Sequence, residues 1–478
     1  MIEFNKILKI EAEYDLINKM IFEDKWYYPL IKQTILANYI NKQKLFRPHK
    51  SISNLQKIKN TIISSPYYLN NNKKRSNIII VDNASTRIKY QNYSYLKYSD
   101  FIHDLFPNIK ITVLEYPDKR ETLHKKNNYS NSIYYLDFFI NKVLLQSKIK
   151  NYAKNFSFNA DKELFSQLDL PFHIASHRQV INKALHYING FMKLLQSFSP
   201  DIIFIKPSYN YVNMSLLWAA NKLGIPTVEL QHGVIDTKHI GYIYNKVIDR
   251  QFFPKYFFSY GDYFSDILKN HTKKFLSENV FSIGYNYLEK YKKNQYKNID
   301  YYHHIKNQYK IILITSQWII KKELKNFVIK LSEILPKNWF ILYKPHPAET
   351  NIESFYEIFN DFENVLLIKD KSISLFEFIK ICNVHSTVMS TSHFEATYFE
   401  KPNVFIWQPK HSQWIEKFIN NKTHFLAKNS DQYINCLNYI NSNPLKIKND
   451  LKSNSDYYFK SNSSQNFVSK TNWILNYK

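Results

Sequence analysis

The sequence predicts an α/β protein made of two successive parallel-sheet units behind a helical N-terminal extension. Three observations predict it. Apolar runs of strand length alternate with helix-length segments from about residue 77 to residue 407, the pattern of parallel strands joined by crossover helices. Several runs stop at polar residues (Asp82, Gln231-His232, Ser316-Gln317, Lys344-Pro345-His346-Pro347), which places chemistry at the carboxyl ends of strands, where open α/β sheets bind ligands. A lysine-rich polar stretch, 291–309, separates the two sets of runs and is expected to be a linker.

The elements follow in order. Residues 1–70 are helical and aromatic in pattern, and Asn70 to Arg75 forms a polar link. Asn77 to Val81 is a strand followed by Asp82-Asn83-Ala84-Ser85-Thr86-Arg87, so Asp82 and Arg87 become candidates; a turn aspartate and a surface arginine are the plainer alternative. Ile109 to Leu114 is a strand, 118–135 an exposed polar loop, and 175–197 a long helix. A βαβ unit comes next: strand Ile202 to Ile205, helix Met214 to Leu223 closed by Gly224, strand Pro226 to Leu230. Its last strand runs into Glu229-Leu230-Gln231-His232-Gly233-Val234-Ile235-Asp236, with Gly233 expected to turn the backbone beside His232. Strands Tyr256 to Ser259 and Val280 to Ile283 finish a first domain over 71–290.

The second domain, 310–440, is expected to run strand 311–315, helix 321–335, strand 340–343, helix 351–360, strand 365–368, helix 373–381, a strand ending at His385, a helix through Glu395 and a strand 403–407. A polar tail, 441–478, ends in an amphipathic helix. Two prolines hold His346 on a rigid turn just beyond a strand. The hydroxyls Ser386, Thr387, Ser390 and Thr391 gather at the start of a helix, where an anion is favoured. Ser392-x-x-Glu395 fits a capping box as well as a ligand role for Glu395. Cys382, Asn383 and His385 are expected to be structural.

Composition narrows the function. Apolar residues make up 44% and aromatics 17%, which excludes a disordered chain. No apolar run approaches the roughly 18 residues of a membrane span, and MIEFNKILKIEAEYD lacks a signal-peptide core, so the expected location is the cytoplasm. The two cysteines offer neither a disulfide framework nor a metal cluster. The net charge is +25, yet only six of the basic residues are arginine. No nucleic-acid signature is present, and no nucleic-acid partner is expected. A solvated lysine surface is the simplest account; peripheral contact with an anionic membrane at its cytoplasmic face is the next. Only six glycines occur, five of them between 224 and 284, where positive φ or close backbone approach is expected. None follows Gly284, which excludes a Walker loop and a GxGxxG fingerprint in the second domain.

These residues carry a resemblance. The run FFSYGDYFSDIL, FSIGYNYLE, YKIILITSQ resembles the passage between the two Rossmann-like domains of GT-B glycosyltransferases. KPHP followed by ST, STSHFEA and KP is similar to the His-Pro and Ser/Thr motifs of bacterial sialyl- and Kdo-type transferases and of polyglycerol- and polyribitol-phosphate polymerases. The resemblance covers about 200–410 and is of motifs only. It implies a nucleotide-sugar donor, CMP-linked, with Lys344, His346 and the four hydroxyls on the donor phosphate and Glu395 near the ribose. It implies a glycan or lipid-linked acceptor of capsule or lipopolysaccharide synthesis.

Transfer requires stabilisation of the leaving phosphate and a base for the acceptor hydroxyl. There is no Asp-x-Asp motif, so metal-independent chemistry without a further cofactor is expected. His232, Asp236, Glu229 and Asp82 are the candidate bases, in that order. A CDP-alditol phosphotransferase could use the same cradle. A UDP-sugar 2-epimerase shares the architecture, although the missing glycines and the long N-terminal region argue against it. A non-catalytic lysine-rich membrane scaffold is the remaining alternative.

Overall fold

The computed structural model describes residues 11, 21–22, 25–32, 53–69, 75–83, 87–90, 93–96, 98, 100–116, 132–155, 174–239, 241–244, 250–293, 299–347, 349–370, 373–409 and 411–476. Most of the expected N-terminal extension and of the link at 70–75 lies outside these residues. The chain divides into two compact units, Met1–Tyr287 with Asn462–Lys478, and Leu288–Ser461.

Unit 1 contains a seven-stranded parallel sheet: β1 Ile78–Asn83, β2 Ile111–Tyr116, β3 Ser132–Tyr135, β4 Ile202–Ile205, β5 Thr227–Leu230, β6 Tyr256–Ser259 and β7 Val280–Ser282. The order is β7-β6-β5-β4-β1-β2-β3, with every neighbouring pair parallel. Its central strands are buried on both faces, which is why they appear in sequence as unbroken apolar runs such as Ile202 to Ile205. Four helices matter below: α1 Asn54–Leu69, α2 Asp137–Ile149, α3 Ile174–Phe198 and α4 Tyr211–Lys222. The start of α4 is fixed by Asn210, whose side chain accepts the Asn213 N–H at 2.8 Å. It ends at Gly224, which adopts φ 67°.

Unit 2 contains a six-stranded parallel sheet: β8 Lys310–Thr315, β9 Trp339–Lys344, β10 Val365–Leu367, β11 Val384–Thr387, β12 Asn403–Ile406 and β13 His424–Ala427, ordered β10-β9-β8-β11-β12-β13. Counted within each unit, both sheets follow the dinucleotide-fold order 3-2-1-4-5-6, extended by one strand in unit 1. The chain direction across the sheet reverses between β1 and β4 in unit 1 and between β8 and β11 in unit 2, and each reversal opens a crevice at the carboxyl edge.

The structure departs from the expectations in several places. Residues 132–135 are not loop but the edge strand β3, four residues too short to show against their polar surroundings. The expected linker, 291–309, holds the end of helix Asn286–Lys293 and the whole of helix Asp300–Gln308. The helix expected over 351–360 breaks into one turn, Ile352–Phe355, and a 3-10 segment, Glu357–Asp361. The polar stretch beyond 440 carries a further helix, Pro444–Tyr458, whereas the terminal helix forms as expected: it is α7 Ser463–Asn476, which returns to unit 1; α5 Lys321–Ile334 and α6 Ser392–Tyr398 belong to unit 2. Phe467 on α7 is fully buried against Phe101, Phe204 and Phe258.

Candidate functional site

Two groups of polar side chains stand at the two crevices. In unit 1, Asp82 at the end of β1 and Lys206 just after β4 form a buried ion pair across the reversal, 2.8 Å apart. The Lys206 ammonium also lies 3.8 Å from the centre of the Tyr98 ring, and the Tyr98 hydroxyl donates to the His232 carbonyl at 2.8 Å. Asp82 therefore braces the crevice. Arg87 opens a two-stranded hairpin with Tyr93–Leu96, and its side chain lies outside the described part of the structure.

Glu229 is equally enclosed. One of its oxygens accepts the Tyr242 hydroxyl at 2.8 Å and the Ser208 N–H at 2.9 Å; the other faces the buried Lys274 ammonium at 3.7 Å. Lys274 itself donates to the Ser208 hydroxyl at 2.7 Å. Burial lowers the Lys274 ammonium to about 8, and Glu229 opposes that shift. Lys274 was not singled out from sequence, because a lone lysine on a loop carries no local signal there.

His232 sits between two tyrosines. Its Nε2 is 3.0 Å from the Tyr209 hydroxyl and its Nδ1 3.4 Å from that of Tyr242. Since the Tyr242 proton goes to Glu229, Tyr242 is left to accept from Nδ1–H and Tyr209 to donate to Nε2. Burial, then the charges of Lys206, His239 and Lys274, lower His232 to about 3, so the ring is neutral and weakly basic. Gly241 must be glycine: a Cβ there would stand 2.6 Å from the Tyr209 ring. Gly233 differs from expectation, since nothing lies within 4 Å of a Cβ and its φ is not positive. Asp236 is half-buried and accepts the Lys238 N–H at 2.9 Å through one oxygen. Of the four candidate bases, it alone combines a carboxylate with solvent access.

In unit 2, Lys344 ends β9. Its ammonium donates to the Ile373 carbonyl at 3.3 Å and lies 4.7 Å from the centre of the Phe378 ring. Burial lowers it to about 8, partly opposed by Asp370. Burial also lowers the His346 imidazole, opposed by Glu349, which favours the neutral ring at pH 7. Glu349, missed in the sequence, fixes this turn. Its Oε1 accepts the His346 N–H at 2.8 Å and its Oε2 the Tyr356 hydroxyl at 2.6 Å.

The four hydroxyls divide in two. Ser386 and Thr387 are fully buried, the first bonded to the Tyr433 hydroxyl and the second donating to the Thr315 carbonyl at 3.3 Å. Ser390 is partly open and Thr391 exposed, at the mouth of the crevice. The capping box does not form: Ser392 lies inside α6, and its N–H goes to the Ser390 Oγ at 3.2 Å. Glu395 is half-buried in the first turn of α6. Gln317, after β8, accepts the Met389 N–H at 3.1 Å and ties the two strand-end loops together.

Beneath the hydroxyls lies a network that sequence reasoning took only as structural His385. Its Nδ1–H donates to the Asn403 Oδ1 at 2.7 Å, and its Nε2 faces the Ser392 hydroxyl at 3.1 Å. His393 donates from Nδ1 to the Ser390 carbonyl at 2.8 Å. His424 Nδ1 meets the Thr423 hydroxyl at 2.9 Å, and Asn403 lies within 3.4 Å of its Nε2. Burial is the largest cause of a lowered pKa in all three, to about 4 for His385 and about 3 for His424.

The fold is the two-Rossmann GT-B class expected from the sequence. Among solved structures, a UDP-N-acetylglucosamine 2-epimerase is 15% identical, with 85% of this chain and 97% of that one covered and a TM-score of 0.53. A Listeria monocytogenes protein described as such an epimerase is 11% identical, with 84% and 98% covered and a TM-score of 0.52. The wall teichoic acid polymerase TagF is 12% identical, with 94% and 98% covered and a TM-score of 0.47. No family model and no curated protein matches the sequence.

Proposed function

We propose that the protein is a metal-independent glycosyltransferase that moves a sugar from a nucleotide donor to a growing bacterial surface glycan. The observation that carries this is the chemistry gathered at the reversal of unit 2. Lys344 and His346 end one strand, and the open hydroxyls of Ser390 and Thr391 follow another two places along, about 10 Å away at sheet spacing. A partly buried ammonium opposite hydroxyls suits a phosphate that gains charge as its sugar leaves.

In this reading Lys344 offsets the charge on the leaving nucleotide as the bond from the sugar's anomeric carbon to phosphate oxygen breaks. Ser390, Thr391 and the His346 ring orient the phosphate, and Glu395 stands near the ribose. The acceptor oxygen bonds to that carbon as its proton passes to a base, for which Asp236 is the solvent-open carboxylate among the candidates. His232, with its Nε2 engaged by Tyr209, positions rather than abstracts. The acceptor is a glycan or a lipid-linked glycan, presented at an anionic membrane face.

The KPHP and Ser/Thr motifs favour a CMP-linked donor. A second reading, a UDP-sugar enzyme, is favoured by the likeness of fold to UDP-N-acetylglucosamine 2-epimerases. Thermal unfolding with CMP, CDP, UDP, GDP and ADP tests both, because a ligand that binds only the folded state raises its stability. A cytidine-selective rise that disappears in Lys344→Ala supports the first. A uridine-selective rise supports the second. No rise with any nucleotide overturns the donor site.

A further inference from the structure

Helices α1, α2 and α3 form a layer over one face of the unit 1 sheet. The inner sides of α2 and α3 enter the core through Phe139, Val143, Tyr187, Phe191 and Leu194. The outer side is unusual. On α1, Leu55, Ile58 and Ile62 recur at helical spacing and are 80%, 56% and 65% exposed. On α2, Leu145 and Ile149 are 61% and 80% exposed. The two helices run antiparallel, since Phe138 N–H meets the Ser64 hydroxyl at 2.9 Å and Asn141 Nδ2 meets Thr61 Oγ1 at 2.7 Å. Continued along the helices, that register sets Leu145 beside Ile58 and Ile149 beside Leu55. Five large aliphatic side chains thus share one open ridge among the described residues, more than the scattered apolar side chains of an ordinary surface.

A second observation says what covers it. Ile149 also lines a pocket of about 280 Å³ between α2 and α3, whose other walls include Lys142, Lys150, Lys193, His186 and Asn189. The three helices carry two, two and three Lys or Arg residues and one acid, Asp137. An aliphatic ridge beside a cationic pocket, on a face almost without acids, matches a bilayer interface, where acyl chains lie next to anionic headgroups.

We propose that this face docks on an anionic lipid bilayer, the ridge entering the headgroup boundary and the lysine pocket receiving a lipid phosphate. This deepens the membrane contact of the reading above and rests on it only for the acceptor's location; nucleotide binding tests the remainder separately.

The test is co-sedimentation with vesicles of phosphatidylcholine alone and of phosphatidylcholine mixed with phosphatidylglycerol, at low and high salt. The wild-type chain is expected to bind the anionic vesicles only, less at high salt. Ile58→Glu with Leu145→Glu, and separately Lys150→Glu with Lys193→Glu, are each expected to weaken binding by about tenfold or more. Their folding is checked by circular dichroism and by melting temperature without ligand, which should match wild type. Absence of wild-type binding, or binding that both variants retain, overturns the proposal. So does a wild-type dimer in sedimentation velocity that Ile58→Glu with Leu145→Glu converts to monomer, because the ridge would then meet a second copy.

Discussion

Glu349 holds the backbone of His346: its carboxylate accepts the histidine's N–H at 2.8 Å while its other oxygen takes the Tyr356 hydroxyl. The turn that presents His346 and Lys344 is therefore set by a buried acid three residues on. Glu349→Ala takes this acceptor from the His346 N–H and leaves the Tyr356 hydroxyl only the Tyr343 hydroxyl at 3.2 Å, at a cost of about 1–3 kcal/mol for the lost bonds. The melting temperature should fall and nucleotide-induced stabilisation should be lost. Glu349→Gln should retain part of both. Equal effects of the two changes would mean that the carboxylate does not hold the turn.

Lys344 titrates where nucleotide binding can report it. Its folded pKa, about 8, lies below the ordinary lysine value because burial disfavours the charge. An anionic ligand needs the charged form, so affinity should be full below that value and decline as pH rises through it. In Lys344→Ala the decline should vanish and affinity should fall by about tenfold to a hundredfold. Titration calorimetry from pH 6.5 to 9 measures both.

Asp236 and Glu229 should separate function from support. Asp236→Asn is expected to lower kcat by about a hundredfold or more, with donor affinity and melting temperature near wild type. Glu229→Gln strands the buried Lys274 and should destabilise by on the order of 3 kcal/mol. If Asp236→Asn kept its kcat, the acceptor-side base would lie elsewhere.

The buried histidines make unit 2 acid-sensitive. His385, His393 and His424 are held below the unfolded value of about 6.5, so folding favours their neutral forms. Their contribution to stability is complete above that pH and is lost as pH falls toward about 4. Each proton taken up steepens the loss by about 1.4 kcal/mol per pH unit. Urea unfolding of unit 2 at pH 7 and pH 5 should show the drop, with a shallower one in His424→Asn. A flat profile would mean that the rings bind protons as readily folded as unfolded.

The parallel strands were legible because burial on both faces forces continuous apolar runs; Ile202 to Ile205 and Tyr256 to Ser259 match to the residue. The positions of Lys344 and His346 at a strand end were legible through the two prolines. Exposure was not. Ser386 and Ser390 look alike in sequence, and only the placement of Tyr433 separates the buried hydroxyl from the open one. His232 appeared the best base by type, but burial first, and then the charges of Lys206, His239 and Lys274, keep it neutral, and these groups and its partners Tyr209 and Tyr242 are brought together only by the fold.

The return of α7 to unit 1 makes unit 2 a nested insertion. During synthesis, unit 2 can fold as soon as residue 461 has emerged, while the layer around Phe101, Phe204 and Phe258 waits for Phe467. Unit 1 is thus completed only after unit 2 has been made, and until then its aromatic layer lacks Phe467.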